Sequence, residues 1–193
     1  MSKRIFIAID ISEEAKAGIA KFTGELRADF PHLRVSWEKP EKIHLTLKFL
    51  GDIDESQLVG LVEAVKKTAE GSAPFMVRIE NTGCFPSPRK ARVLWLGMKD
   101  ETGNLPALQE KLEQEAARAG FAKEARSFKA HLTIARLREP QSSRELVETF
   151  LQRHFEPVSF EVSEIVIYES KLQPAGSVYS VIERQKLKGE SGF

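Results

Sequence analysis

The sequence predicts an α+β fold of two pseudo-symmetric lobes. Each lobe is expected to be an antiparallel sheet with helices packed on its outer face, the two His-x-Thr strands facing a central cleft. Three observations carry this expectation. Residues 42–51, KIHLTLKFLG, and residues 129–138, KAHLTIARLR, share a Lys-x-His-Leu-Thr-aliphatic pattern. Each is followed by an amphipathic helical stretch and then by a strand opened by proline, Pro74-Phe75 in one case and Pro157-Val158 in the other. Aligning His44 with His131 also sets the strand at 4–9 and its helix against the strand at 92–98 and its helix. A single domain over residues 1–193, built from lobes near 1–90 and 91–186, is the simplest organisation. The strands at Arg92 and Val178 lie at the seams and are candidates to cross into the other half's sheet.

In order along the chain, residues 4–9 form a strand whose Ile5, Ile7 and Ile9 alternate with Phe6 and Ala8, so both faces are apolar and buried. Ser12 ahead of Glu13 and Glu14 starts a helix, because the hydroxyl caps free amides and acids suit the positive end. Ala15, Ile19, Phe22 and Leu26 give its apolar stripe, which ends near Pro31. Residues 35–37 make a short strand before Lys39-Pro40, and the first His strand runs to Gly51. Leu58, Leu61, Val62 and Val65 mark a second helix ending near Gly71. Residues 75–81 and 92–98 pair as strands across the loop GCFPSPRKA, whose two prolines exclude regular structure. Leu105, Leu108, Leu112 and Ala116 define a helix over 104–119 that Gly120 stops. Pro140 with Ser142 or Ser143 opens a helix through Leu151, Pro157 begins a strand to Tyr168, and 178–182 form the last strand. The terminal KLKGESGF carries no pattern and is expected to fray.

Composition narrows the partners. Hydrophobic residues make up 41% and charged residues 30% of the 193, and the net charge of +1 gives no global field that would demand a polyanion. Attraction to nucleic acid would have to be local. Cys84 is the only cysteine, which excludes an intrachain disulfide and a four-thiolate metal site and fits a reducing cytoplasm. The apolar run in MSKRIFIAID is too short for a signal-peptide core, and no stretch approaches the roughly 20 residues of a membrane span. A cytoplasmic protein with no membrane partner is expected.

The period of two along a strand puts His44 and Thr46 on one face, with Leu45, Leu47 and Phe49 on the other. His131 and Thr133 share a face in the same way, backed by Leu132 and Ile134. Histidine has both protonation states available near neutral pH, so two facing imidazoles can act as base and acid in one turnover. Each Thr hydroxyl can hold a phosphoryl oxygen, and Lys48, two residues past Thr46, can offset its charge. Arg136 falls on the back face by strict alternation, so a phosphate contact from it depends on twist near the strand end. Arg126, Lys129 and Arg138 near the second motif, and Arg89, Lys90 and Arg92 near the proline loop, could follow an RNA backbone, although solvated strand-end charges explain each one singly as well. Trp37 and Phe49 are candidates to stack on a base, although Phe49 alternates away from His44 and is expected in the core. Neither motif brings the third and fourth ligands that zinc needs, so no metal and no cofactor is expected. His32 and His154 read as surface residues.

These residues resemble the 2'-5' RNA ligase family, also called RNA 2',3'-cyclic phosphodiesterases, within the two-histidine (2H) phosphoesterases. The resemblance rests on HLTL at 44–47 and HLTI at 131–134 as the paired HxTx signatures. RIFIAIDIS, KFLGD, RVLWLG, FKAHLTIAR and ESKLQPAGSVYSVIER extend it over most of the chain. One departure is Ala130, where many relatives have Pro. The resemblance implies hydrolysis of a terminal RNA 2',3'-cyclic phosphate to a 2'-phosphate, with His44 as proton donor and His131 as proton acceptor. It also implies a reverse 2'-5' ligation on ends such as tRNA halves, which water should outcompete. The working expectation for assembly is a monomer. Two other readings stay open: a phosphodiesterase for small cyclic nucleotides or an ADP-ribose cyclic phosphate, and a non-catalytic RNA-binding module.

Overall fold

The computed structural model describes residues 2–174 and 176–189. Among the described residues nine strands form two antiparallel sheets. One sheet has the order β3-β1-β8-β9, from β3 (His44–Asp54), β1 (Ser2–Asp10), β8 (Glu164–Gln173) and β9 (Gly176–Lys186). The other has the order β2-β6-β5-β4-β7, from β2 (Val35–Trp37), β6 (His131–Leu137), β5 (Val93–Lys99), β4 (Phe75–Phe85) and β7 (Val158–Val162). The α+β class and the paired antiparallel sheets are as the sequence predicts.

The buried strand β1 behaves as its composition requires. Ile5, Ile7 and Ile9 are fully buried, and β1 pairs with β3 on one side and β8 on the other. Helices cover the sheets. Helix α1 (Glu13–Asp29) starts where Ser12 Oγ accepts from the Ala15 amide at 3.1 Å. Helix α2 (Glu55–Glu70) starts at a capping box between Asp54 and Gln57. Helices α2 and α3 (Asn104–Arg118) pair and pack on the β1 sheet, while α1 contacts β7 and α4 (Arg144–Gln152) contacts β4. Phe22 of α1 meets Phe150 of α4 at 5.9 Å between ring centroids, closing the core of the second lobe.

The lobes are not contiguous halves of the chain. β4, from the first half, sits in the second sheet between β5 and β7, and the β8–β9 hairpin, from the second half, completes the first sheet. β5 stays beside β6 of its own half, so at the first seam the crossing strand is β4 rather than the strand at Arg92. The helices cross as well, since α1 serves the β7 side and α3 the β3 side.

Two expectations are corrected. The strand predicted from Pro157 to Tyr168 is two strands that break at Ser163 and enter different sheets. The alternation of Val158, Phe160 and Val162 stops at Ser163-Glu164 and an apolar run resumes at Ile165, but periodicity cannot see that the two parts join different sheets. The predicted frayed end is tied down through Gly189: Leu187 is buried, and the amides of Leu187, Lys188 and Gly189 donate to the carbonyls of Ser163, Ala69 and Ser72 at 2.8 to 3.0 Å. The remainder of KLKGESGF, from residue 190, lies outside the described residues.

Candidate active site

The two motif strands face one another, and His44, Thr46, His131 and Thr133 line a single cleft of about 250 Å³ with Arg136 and Tyr179. The same hydrogen bond orients both imidazoles. His44 Nδ1 lies 2.7 Å from the Lys42 carbonyl, and His131 Nδ1 lies 2.7 Å from the Lys129 carbonyl. A carbonyl can only accept, so each Nδ1 carries hydrogen and each Nε2 is the nitrogen that exchanges a proton with substrate. Ala130 in place of Pro leaves this second bond intact.

Rings fix the imidazole planes. His44 stacks on Phe6 at 4.8 Å between centroids and meets the edge of Tyr179 at 5.5 Å. His131 meets Phe85 edge-on at 5.0 Å, with Trp95 behind at 6.3 Å. Trp95 can lie there because position 83 is glycine; a Cβ on Gly83 would fall 2.1 Å from the indole.

Burial pushes the His44 pKa below its ordinary 6.5, while the bond to Lys42 and the nearby Asp10 carboxylate act in the opposite direction. Asp10 is held by the Tyr168 hydroxyl at 2.7 Å and by Arg184 at 3.1 Å. Burial, and then the bond to Asp10, push the Tyr168 phenol up, so it remains a donor. The His44 imidazole is therefore expected to titrate below pH 6.5 in the free protein, as followed by NMR, and to move up when inorganic phosphate binds, because an anion favours imidazolium. Its contribution to stability is then full above pH 6.5 and is lost as pH falls through the folded value. Titration at or above 6.5 without ligand contradicts the desolvation.

Strict alternation misplaces three residues, and one repeated irregularity is the reason. The β1–β3 register slips at Leu47 and the β5–β6 register slips at Ile134, the third residue after each His. Each bulge turns two successive side chains inward, Leu47 with Lys48 and Ile134 with Ala135, and returns the next one to the cleft. Lys48 therefore does not line the cleft that holds His44 and Thr46. Its side chain is 4% exposed and its Nζ contacts Glu113 Oε2 at 2.7 Å and the Ala122 carbonyl at 2.8 Å. Phe49, expected in the core, is 52% exposed at the cleft, and Arg136 reaches the cleft, where its Nε lies 3.6 Å from Glu38.

The cleft also gathers Arg4 and Lys42, which the sequence reading did not single out for the site. Arg4 lies 5.0 Å from the Phe49 ring centroid, and Lys42 Nζ donates to the Ser177 carbonyl at 2.5 Å. The signal for Arg4 was its even spacing from Phe6 on β1; Tyr179 and Ser177 come from a hairpin whose pairing no local pattern reveals. Trp37 is not among the cleft residues and lies under the Arg27 guanidinium at 5.4 Å. Among the described residues no group of three or more His, Cys, Asp or Glu could hold a metal ion, and no helix is long and apolar enough to cross a membrane.

A family model described as LigT like Phosphoesterase matches residues 9–95 and again 96–179. The chain belongs to the LigT-like phosphoesterase family. Each of the two matched stretches of this LigT-like chain contains one His-x-Thr motif. It is 34% identical over 184 residues to an RNA 2',3'-cyclic phosphodiesterase of Methanothermobacter thermautotrophicus, covering 95% of this chain and 98% of that one. It is 32% identical over 187 residues to the protein of that name from Thermotoga maritima, covering 96% of each. Among solved structures, a protein of Thermus thermophilus aligns with TM-score 0.79 and 28% identity, over 97% of this chain and all of that one. Escherichia coli LigT complexed with 3'-AMP aligns with TM-score 0.75 and 25% identity, over 97% and 99% of the two chains.

Proposed function

We propose that the protein hydrolyses the 2',3'-cyclic phosphate at an RNA 3' end to a 2'-phosphate, without a metal, as a monomer in the cytoplasm. Two imidazoles with matching Nδ1-to-carbonyl bonds in one cleft of about 250 Å³ carry this reading. Water attacks phosphorus opposite the 3' oxygen and gives its proton to His131 Nε2. The P–O3' bond breaks, and His44 Nε2 returns a proton to that oxygen. The Thr46 and Thr133 hydroxyls and the Arg136 guanidinium bind the other phosphoryl oxygens, whose charge grows in the transition state. Arg4 takes the charge-balancing part that the ion-paired Lys48 cannot. Burial disfavours the imidazolium of His44 in the free protein, and the substrate's own negative charge restores the proton that the acid must donate.

Relatives named RNA 2',3'-cyclic phosphodiesterase across nearly the whole length support the substrate class. A 5'-hydroxyl, as on a tRNA half, can replace water and give a 2',5' linkage at the same site. A small cyclic nucleotide is the second reading, favoured by the 3'-AMP complex of Escherichia coli LigT. An RNA oligomer with a 2',3'-cyclic end, incubated with EDTA, tests the proposal. The expected product is the 2'-phosphate at an undiminished rate. A 3'-phosphate, loss of rate with EDTA, or turnover of mononucleotides alone would overturn it.

A further inference from the structure

A second cavity, of about 570 Å³, opens beside the first and shares Thr46, Phe49 and His131 with it but not His44. Its volume suits a nucleoside-sized ligand. We infer that this cavity binds the nucleoside that carries an attacking 5'-hydroxyl, making the cleft a two-substrate site. The inference rests on the proton-transfer roles given under the proposed function.

Three observations select that occupant. The first is position. The leaving 3' oxygen must lie by His44, which lines only the first cavity, so the ribose and its chain occupy that side. The nucleophile must approach from the opposite side of phosphorus, by His131, and the second cavity opens there.

Charge is the second. Arg4, Lys42 and Arg136 line the first cavity with Glu38 as its carboxylate, a positive balance that suits a phosphodiester chain. In the second, Lys48 is paired with Glu113 and Arg126 with Glu124, leaving Lys129 as its cation without an acidic partner among the described residues. A neutral nucleoside fits that balance better than a polyanion.

The third is the wall itself. Phe49, Phe85 and Phe128 line the second cavity, and Phe49 is half exposed with Arg4 beside its ring. Aromatic rings of this kind stack on bases without regard to sequence.

The step balances. The 5' oxygen forms a bond to phosphorus and its proton passes to His131 Nε2. The P–O3' bond breaks and His44 Nε2 protonates O3'. The product is a 2',5'-phosphodiester with a free 3'-hydroxyl, carrying the same single negative charge as the cyclic phosphate. Run backwards, the site cleaves a 2',5'-linked dinucleotide into a cyclic phosphate and a nucleoside.

Ser127 is exposed on the wall of the second cavity and has no part in the chemistry, so Ser127→Trp obstructs that cavity alone. The test compares 2',5'-linked adenylyl-adenosine with adenosine 2',3'-cyclic phosphate. Wild-type protein should cleave the first and hydrolyse the second. Ser127→Trp, and Phe128→Leu as a variant that keeps apolar packing, should raise KM for the dinucleotide about tenfold while leaving KM for the cyclic mononucleotide within about twofold. Equal effects on both substrates, or none on the dinucleotide, would overturn the inference. Wild-type hydrolysis of the cyclic phosphate without dinucleotide cleavage would also overturn it and leave the proposed function standing. Inertness toward both, with cyclic-ended RNA unhydrolysed as well, would remove the two together.

Discussion

His44→Ala and His131→Ala are each expected to lower kcat on cyclic-ended RNA by about 100- to 10,000-fold, the usual contribution of a positioned acid or base. RNA affinity should change little, because the cations and hydroxyls around the phosphate remain. The double variant should fall only slightly below either single one, since the two rings act in the same step and their losses do not add. Leaving-group chemistry separates the roles. A phosphodiester whose leaving group is nitrophenolate needs no proton at departure, so the His44→Ala deficit should shrink on it while the His131→Ala deficit persists. Full activity in either variant would reject the assignment, and equal deficits on both substrates would reject the division of roles. Circular dichroism of the variants guards against a folding defect.

Glu113→Ala should destabilise the protein by about 3 to 5 kcal/mol, because it strands the ammonium of Lys48 in the interior. The two side chains are only 4% and 12% exposed, so little solvent is present to screen the loss. The same carboxylate accepts from the Glu124 amide at 3.2 Å, and Lys48 also holds the Ala122 carbonyl, so the pair fixes residues 122–124 against β3. Lys48→Met combined with Glu113→Leu should recover most of the loss, since an apolar pair of similar volume carries no buried charge. Denaturant unfolding measures both. A Glu113→Ala midpoint equal to wild type would show that the pair contributes nothing, and a large rise in KM for Lys48→Met with unchanged stability would return Lys48 to the substrate.

The strands, the helices and the two imidazoles were legible because each depends on short-range pattern. β1 is apolar on both faces, α1 carries Ser12 and a stripe at helical spacing, and the repeated His and Thr sit where polarity is otherwise unexplained. What escaped depends on partners distant in sequence. The bulges at Leu47 and Ile134 arise in pairing with β1 and β5, and they decide which of Lys48, Phe49 and Arg136 sees the cleft. The break at Ser163 is likewise a choice of sheet, and the anchoring of Leu187 to Gly189 depends on Ser163, Ala69 and Ser72. Arg4 and Tyr179 join the cleft because β1 and β9 belong to one sheet, which spacing along the chain does not encode.

The acceptors that steer both histidines are main-chain oxygens, of Lys42 and Lys129. Every residue type supplies that atom, so drift at positions 42 and 129 cannot delete the group that selects the tautomer. Aspartate-assisted histidines are vulnerable to a single base change in the codon for the carboxylate; here the orienting element is inherited with the backbone path. The lysine side chains take no part in that selection; they reach elsewhere, Lys42 to the Ser177 carbonyl and Lys129 over the Phe85 ring.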